Sequence, residues 1–197
     1  MGRFNALVAL LLMSFSLLAA QPRGEFIQPD NIYPKVKFIT NMGEFVIELD
    51  RAKAPITVDN FLSYVAAKRY DNTIFHRLEH EFVLQGGGYT ADLESVEEFS
   101  PIVNESGNGV KNQQGTIAMA RQYAPHSATS QFFFNLADNN SLNPGRNWGY
   151  TVFGSIVEGD EFLDKLVDIE TDTSAELGWP NFPVQLITIK TAQIMAE

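Results

Sequence analysis

From Pro34 onward the chain alternates apolar and polar residues at strand period. Val36 and Phe38 come first, then Phe45-Val46-Ile47-Glu48-Leu49, with Asn41-Met42-Gly43 between them. This pattern predicts a β-hairpin. Pro55 opens a different period: Val58, Phe61, Leu62 and Val65 share one helical stripe, and Lys68-Arg69 are expected in the last turn, where cations suit unpaired carbonyls. Short β-rich runs follow at Thr73 to Arg77, Glu81 to Gln85, Thr116 to Met119, Gln131 to Phe134, Thr151 to Val157 and Val184 to Lys190, separated by Gly, Asn and Ser clusters. A short capping helix is expected over Glu161 to Asp168 behind Gly159-Asp160, with Phe162, Leu163, Leu166 and Val167 at helical spacing. Around eight strands, two helices and no strand-helix-strand alternation point to a closed antiparallel barrel or a sandwich. No internal repeat of solenoid or propeller period is present.

The N-terminal residues follow other rules. Arg3 precedes an uncharged apolar run from Ala6 to Ala20, and Gln21-Pro22-Arg23 ends it abruptly. Residues 1–20 therefore read as a secretory signal peptide, the run being short of the roughly 20 apolar residues of a spanning helix. Cleavage after Ala20 would leave no stable membrane insertion; an uncleaved anchor in the inner membrane is the alternative. Residues 21–33, polar, with Pro22, Pro29 and Gly24 and no periodicity, read as a flexible tether to a domain over 34–197.

Composition narrows the chemistry. The 197 residues are 45% hydrophobic with 15 Phe, enough to fill one sizeable core. The absence of Cys excludes disulfides, thiolate metal sites and Cys nucleophiles, and in an exported chain it fits a bacterial periplasmic protein. A net charge of −10 opposes binding to nucleic acid or anionic lipid.

The common catalytic motifs are missing. His76 and His80 are four apart, but Phe75, Leu78, Phe82 and Val83 around them argue strand and turn rather than a helical grip on zinc. Gly86-Gly87-Gly88 lacks the Lys-Ser/Thr of a phosphate loop and reads as a tight turn or a close backbone approach. No Gly-x-Ser-x-Gly elbow occurs. Asn104-Glu105-Ser106 and Asn139-Asn140-Ser141 match the glycosylation triplet, a match common by chance. Several strands do carry polar side chains on an otherwise apolar pattern. Period two sends Leu84, Phe132 and Phe134 inward and leaves Val83 with Gln85, and Gln131 with Phe133, on a mixed face lining a surface groove. Solvated glutamines beside a snorkelling Arg77 would give the same pattern.

Phe75-His76-Arg77, Phe82-Val83-Leu84-Gln85-Gly86-Gly87, Gly115-Thr116-Ile117-Ala118-Met119-Ala120-Arg121, Ser130-Gln131-Phe132-Phe133 and Val152-Phe153-Gly154 occur in this order. Together they resemble the cyclophilin family of peptidyl-prolyl cis-trans isomerases from about Lys35 to Ile194. Met119-Ala120-Arg121 and Gly149-Tyr150 look like its bacterial, exported branch. The resemblance implies a mainly β fold, a closed eight-stranded antiparallel β-barrel capped by two α-helices, and an enzyme needing no cofactor or metal.

It also implies roles. Arg77 would be the catalytic donor to the prolyl nitrogen, and Gln85 would hold its guanidinium. Phe82, Val83, Phe133, Leu142 and Tyr150 would form the proline pocket, Gln131 and the backbone of Arg121 would fix substrate carbonyls, and Ala120 would be a further substrate-binding residue. The chemistry suits these residue types. Rotation about an X-Pro amide meets a barrier of about 18–20 kcal/mol and passes through a twisted state whose nitrogen has regained its lone pair. A fixed, permanently charged donor binds only that state, and an apolar pocket disfavours the more polar planar amide. Partners would be proline-containing polypeptides, with loose preference beyond proline, and a monomer is expected.

Three positions depart from the family pattern. Ser141 stands where many members carry Trp, and the loop Asn143 to Trp148 is longer than usual, which argues against cyclosporin-type inhibitor binding; Trp148 folding back would replace the indole. Val83 stands where Met is frequent, and Tyr150 where His is frequent. Two other functions remain open at this point: a non-catalytic chaperone or assembly factor that captures proline segments on the same fold, and a small-ligand barrel, which the many Phe disfavour.

Overall fold

The computed structural model describes residues 23–145 and 147–196. In chain order the elements are β1 (Lys35–Thr40), β2 (Glu44–Leu49), α1 (Pro55–Ala66), β3 (Thr73–Glu79), β4 (Val83–Thr90), β5 (Thr116–Met119), β6 (Phe132–Asn135), β7 (Val152–Glu158), α2 (Glu161–Asp164), β8 (Thr171–Asp172), β9 (Phe182–Pro183) and β10 (Ile187–Ile194). Eight strands close into a barrel in the order β1-β10-β3-β4-β6-β5-β7-β2, and β8 pairs with β9 in a separate ribbon. Every pairing in the ring is antiparallel.

Phenylalanine fills the interior. Phe38 and Phe45 stack at 4.9 Å, Phe45 stacks on Phe162 of α2 at 4.6 Å, and Phe61 of α1 meets Phe132 edge-on at 5.5 Å. Phe38, Phe45, Phe61, Phe75, Phe132, Phe134, Phe153 and Phe162 are all at most 1% exposed. Each contributes about 1.5–3 kcal/mol by leaving water. The two helices thus insert a ring each into the same core, as small barrels require.

Pro55 starts α1, and the expected stripe of Val58, Phe61, Leu62 and Val65 is buried. The cap comes from far along the chain. The Glu105 carboxylate accepts from the N–H groups of Ile56 (3.2 Å) and Thr57 (2.8 Å) and from the Thr57 hydroxyl (2.7 Å). Lys68-Arg69 do not occupy the last turn. The helix ends at Ala66, Lys68 takes φ +57° to reverse the chain, and Arg69 pairs with Glu97. The second helix is one α-turn continued by a 3-10 turn, Lys165–Asp168. Phe162 and Leu166 face the core, but Val167 is 74% exposed, because the tighter winding rotates it off the buried stripe.

Residues 1–22, with the expected signal peptide, lie outside the described residues. The rest of the expected tether is held against the domain. Arg51 donates to the carbonyls of Ile27, Gln28 and Asn31 at 2.6–2.9 Å and to Asp59 at 3.0 Å, while the Gly24 N–H donates to the Ser63 hydroxyl at 2.8 Å. A segment without apolar periodicity is held here by hydrogen bonds, most of them to one guanidinium, with Gln28 Nε2 also donating to the Met195 carbonyl at 2.7 Å. Among the described residues no helix is long and apolar enough to cross a membrane.

Candidate active site

The site begins with a register shift in β3. Phe75 pairs with Gly86, yet Arg77 pairs with Gln85, so His76 is an extra residue in a β-bulge. Phe75 turns into the core, and His76 and Arg77 both reach the outer face. From Arg77 a row of directly opposed residues crosses the barrel wall: Gln85 on β4, Phe133 on β6, Ala118 on β5 and Val152 on β7. Opposed residues share a face, and adjacent strands are about 4.8 Å apart. The cation and the apolar patch therefore lie side by side.

The polar end of the row is wired together. Arg77 Nη1 lies 3.5 Å from Gln85 Oε1, and Gln85 Nε2 donates to Gln131 Oε1 at 2.9 Å. Arg77 Nη2 forms an ion pair with Glu79, and the guanidinium carbon sits 5.7 Å from the centre of the Phe82 ring. Gly88 makes room for this network, and Gly86 and Gly87 for core rings behind it. A Cβ on Gly88 would lie 2.7 Å from the Gln131 carboxamide carbon, and Cβ atoms on Gly86 and Gly87 would strike the rings of Phe75 and Phe132. The close backbone approach expected of this triplet is what it provides.

The apolar end is a second cluster, separate from the barrel core. Val83, Ala118, Phe133 and Val152 are buried at its centre, with Phe82, Val110, Ala120, Leu142 and Tyr150 packed around them. Phe133 meets Tyr150 edge-on at 5.6 Å. Period two on its own would leave Val83 and Phe133 as open groove lining; they are only 2% and 4% exposed, because Leu142 and Tyr150 arrive from the long loop and cover them. Leu142 closes a 3-10 turn, Asn140–Leu142, and its carbonyl accepts from the Tyr150 N–H at 3.0 Å. The accessible wall is therefore Phe82, Ala120, Leu142 and Tyr150.

Arg121 lies over the Tyr150 ring at 4.7 Å. Its guanidinium donates to the carbonyls of Gly149 (3.2 Å), Gln122 (2.9 Å), Tyr123 (3.3 Å) and Trp148, clamping two loops together. Beside this clamp opens a hollow of about 710 Å³, lined by Tyr123, Pro125, Trp148 and Tyr150 among others. Ser141 is exposed at its position, and Trp148 packs on His126 at 5.0 Å with half its surface in solvent. His80 does not join His76: its Nε2 meets the Ile169 carbonyl at 3.0 Å. His76 is buried, and desolvation together with the Arg77 charge lowers its pKa to about 4.

All ten residues singled out in the sequence (Arg77, Gln85, Phe82, Val83, Ala120, Arg121, Gln131, Phe133, Leu142 and Tyr150) fall into this one connected arrangement. The sequence reading missed Glu79, Ala118, Val110 and Val152. Glu79 had a signal, since it is two residues from Arg77 on one strand, and so did Ala118, which alternates with core-facing Ile117 and Met119. Val110 had none.

Residues 35–194 match the family model described as cyclophilin type peptidyl-prolyl cis-trans isomerase. The chain is 44% identical over 164 residues to a peptidyl-prolyl cis-trans isomerase of Streptomyces antibioticus, covering 81% of this chain and 98% of that one. It is 47% identical over 143 residues to peptidyl-prolyl cis-trans isomerase B of Escherichia coli, covering 71% and 87%. A crystal structure of a cyclophilin type isomerase from Cryptosporidium parvum superposes with a TM-score of 0.69 at 28% identity, covering 84% of this chain and 99% of that one. Fold, motif order and matched length agree, and the chain belongs to the cyclophilin-type peptidyl-prolyl cis-trans isomerases.

Proposed function

We propose that this protein accelerates rotation about X-Pro bonds in polypeptides folding after export, with Arg77 as the donor to the prolyl nitrogen and the Phe82-Leu142-Tyr150 wall over Phe133 as the proline pocket. The observation that carries this reading is the row Arg77-Gln85-Phe133, which sets a permanent cation one strand beyond the apolar cluster. No covalent bond to the protein is made or broken. The planar amide has its nitrogen lone pair delocalised and offers Arg77 nothing to bind. As the bond twists, the lone pair localises and accepts a charge-assisted hydrogen bond from the guanidinium. Gln85, itself held by Gln131, limits the guanidinium's freedom, so little reorganisation accompanies the reaction. Aromatic contacts exclude water and favour a ring over a linear side chain. At the upper barrier the uncatalysed rate is on the order of 0.01 per second, so a hundred-thousandfold gain needs roughly 7 kcal/mol from donor and pocket together.

The export part of the proposal is supported by the apolar stretch behind Arg3 and by the likeness to bacterial relatives. The test is prolyl exchange in a short peptide followed by NMR, with wild type and Arg77→Ala compared. A fall of about a hundredfold or more is expected for the variant with peptide affinity largely kept. Full activity in Arg77→Ala would refute the assigned role. Binding without acceleration by the wild type would make the protein a proline-segment chaperone.

A further inference from the structure

A second recess, of about 210 Å³, shares Arg77 and Gln85 with the candidate active site and is otherwise lined by His76, Tyr89, Trp179 and Pro180. Its construction is specific. The bulge in β3 delivers His76 to the outer face beside Arg77. The Leu78 N–H, next along that strand, donates to the Asn181 carbonyl at 2.8 Å, and the Ser174 N–H donates to the Trp179 carbonyl at 2.8 Å, which fixes the Trp179-Pro180 turn against β3. Three rings then form a corner: Tyr89 and Trp179 at 4.5 Å, His76 and Tyr89 at 5.0 Å, His76 and Trp179 at 5.8 Å. His76 is only 7% exposed, and its Nδ1 is buried without a protein partner. With its pKa lowered to about 4 the imidazole is neutral near pH 7, so the walls beside the guanidinium are uncharged rings.

The size and position of the recess identify its occupant. Pockets for free small molecules run to about 300–1,000 Å³, so this one suits a single side chain. Arg77 itself lines it, so a polypeptide bound at the guanidinium, advancing about 3.3–3.6 Å per extended residue, places only the residues next to the proline within its reach. We propose that the His76-Tyr89-Trp179 recess is a subsite for the polypeptide bound at Arg77, selecting an aromatic or bulky apolar side chain within two positions of the proline. This rests on the isomerase reading above and adds a sequence preference to it.

The experiment uses peptides of the type Ala-Ala-Pro-Ala-Ala, with Phe, Leu, Lys or Ala placed in turn at each of the two positions on either side of proline, and measures exchange by NMR. With wild type, Phe should exceed Ala at one position by about three- to tenfold in kcat/KM. Trp179→Ala should erase that ratio while leaving the all-Ala peptide within about twofold, and Trp179→Phe should retain most of it. Where the wild type accelerates exchange, equal rates for Phe and Ala at every position, or a ratio that survives both Trp179→Ala and Tyr89→Ala, would overturn the subsite. A binding readout keeps the two proposals apart. The chain has two tryptophans, Trp148 and Trp179, so Trp148→Phe assigns the Trp179 indole N–H resonance. That resonance should shift on titration with the favoured Phe peptide and stay in place with the all-Ala peptide, whether or not exchange is accelerated. No shift would sink the subsite, whereas a shift without acceleration would sink only the isomerase reading.

Discussion

Gly88 and Gln131 occupy one another's space: the position a Gly88 Cβ would take lies 2.7 Å from the Gln131 carboxamide carbon, and that carboxamide in turn holds Gln85 at 2.9 Å. The missing side chain on β4 is therefore part of the positioning of Arg77. Gly88→Ala should push Gln131 off Gln85 at little cost to the fold, since a flexible side chain can give way and alanine lowers the entropy of the unfolded chain. We expect kcat/KM to fall about three- to tenfold while the thermal midpoint moves by no more than a few degrees. Calorimetry beside the exchange assay checks this, and an unchanged rate would remove Gln131 from the positioning chain.

Glu79 ties down the other side of the same guanidinium. The hydrogen bond from Arg77 to Gln85 is long at 3.5 Å, so the ion pair is the firmer anchor. Both partners are partly exposed, at 33% and 41%, which limits the pair to at most about 1 kcal/mol. Glu79→Gln should lower kcat about two- to fivefold. Wild-type activity should fall with added salt and that of the variant should not, a contrast read from rates at low and high ionic strength.

Glu105 caps α1 from a loop that is also anchored beside the site, where its own N–H donates to the Thr151 hydroxyl at 2.9 Å. Glu105→Gln keeps the shape and loses the charge facing the helix N-terminus, and Glu105→Ala leaves two N–H groups without this partner. Urea unfolding should show a loss of about 1 kcal/mol for Gln and about 2 kcal/mol for Ala.

His76 gives the stability a defined pH dependence. Its pKa is lowered from 6.5 to about 4 by burial and by Arg77. Between these values the unfolded chain takes up a proton that the folded chain refuses, so acidification favours unfolding. The contribution is complete above about pH 6.5 and is lost progressively down to about pH 4, with a total on the order of 3 kcal/mol. Denaturation profiles of wild type and His76→Phe should diverge in slope across this window, the variant being flatter, and parallel profiles would contradict the assignment.

Arg51 should matter more than its distance from the site suggests. Arg51→Ala strips hydrogen bonds from the carbonyls of Ile27, Gln28 and Asn31 together. We expect residues 24–33 to lose amide-exchange protection and to become the first site of proteolytic cleavage, with activity nearly unchanged.

The inward faces of the strands were legible in the sequence because period two leaves Leu84, Phe132 and Phe134 no choice once a core exists. Helix α1 was legible from its own period, the helical stripe of Val58, Phe61, Leu62 and Val65 behind Pro55. What depends on distant partners was not. The bulge at His76 is a property of the β3-β4 pairing, the cap on α1 comes from 48 residues away, and residues 24–33 are held by Arg51, Ser63 and the Met195 carbonyl. The site divides along the same line. Arg77, Gln85 and Phe133 could be placed on one face from spacing and family likeness, but the covering of Phe133 by Leu142 and Tyr150 comes from a loop with no period to read.

Closure of the eight-stranded ring has a further consequence if, as proposed above, the substrates are incompletely folded chains. Such chains expose unpaired strands, and an open sheet would offer them a backbone template on which to add and aggregate. Here each strand of the ring already has two hydrogen-bonded neighbours. On the ring itself a polypeptide held at Arg77 would therefore meet side chains rather than a free sheet margin; the only open strand edges among the described sheets belong to the short β8-β9 ribbon.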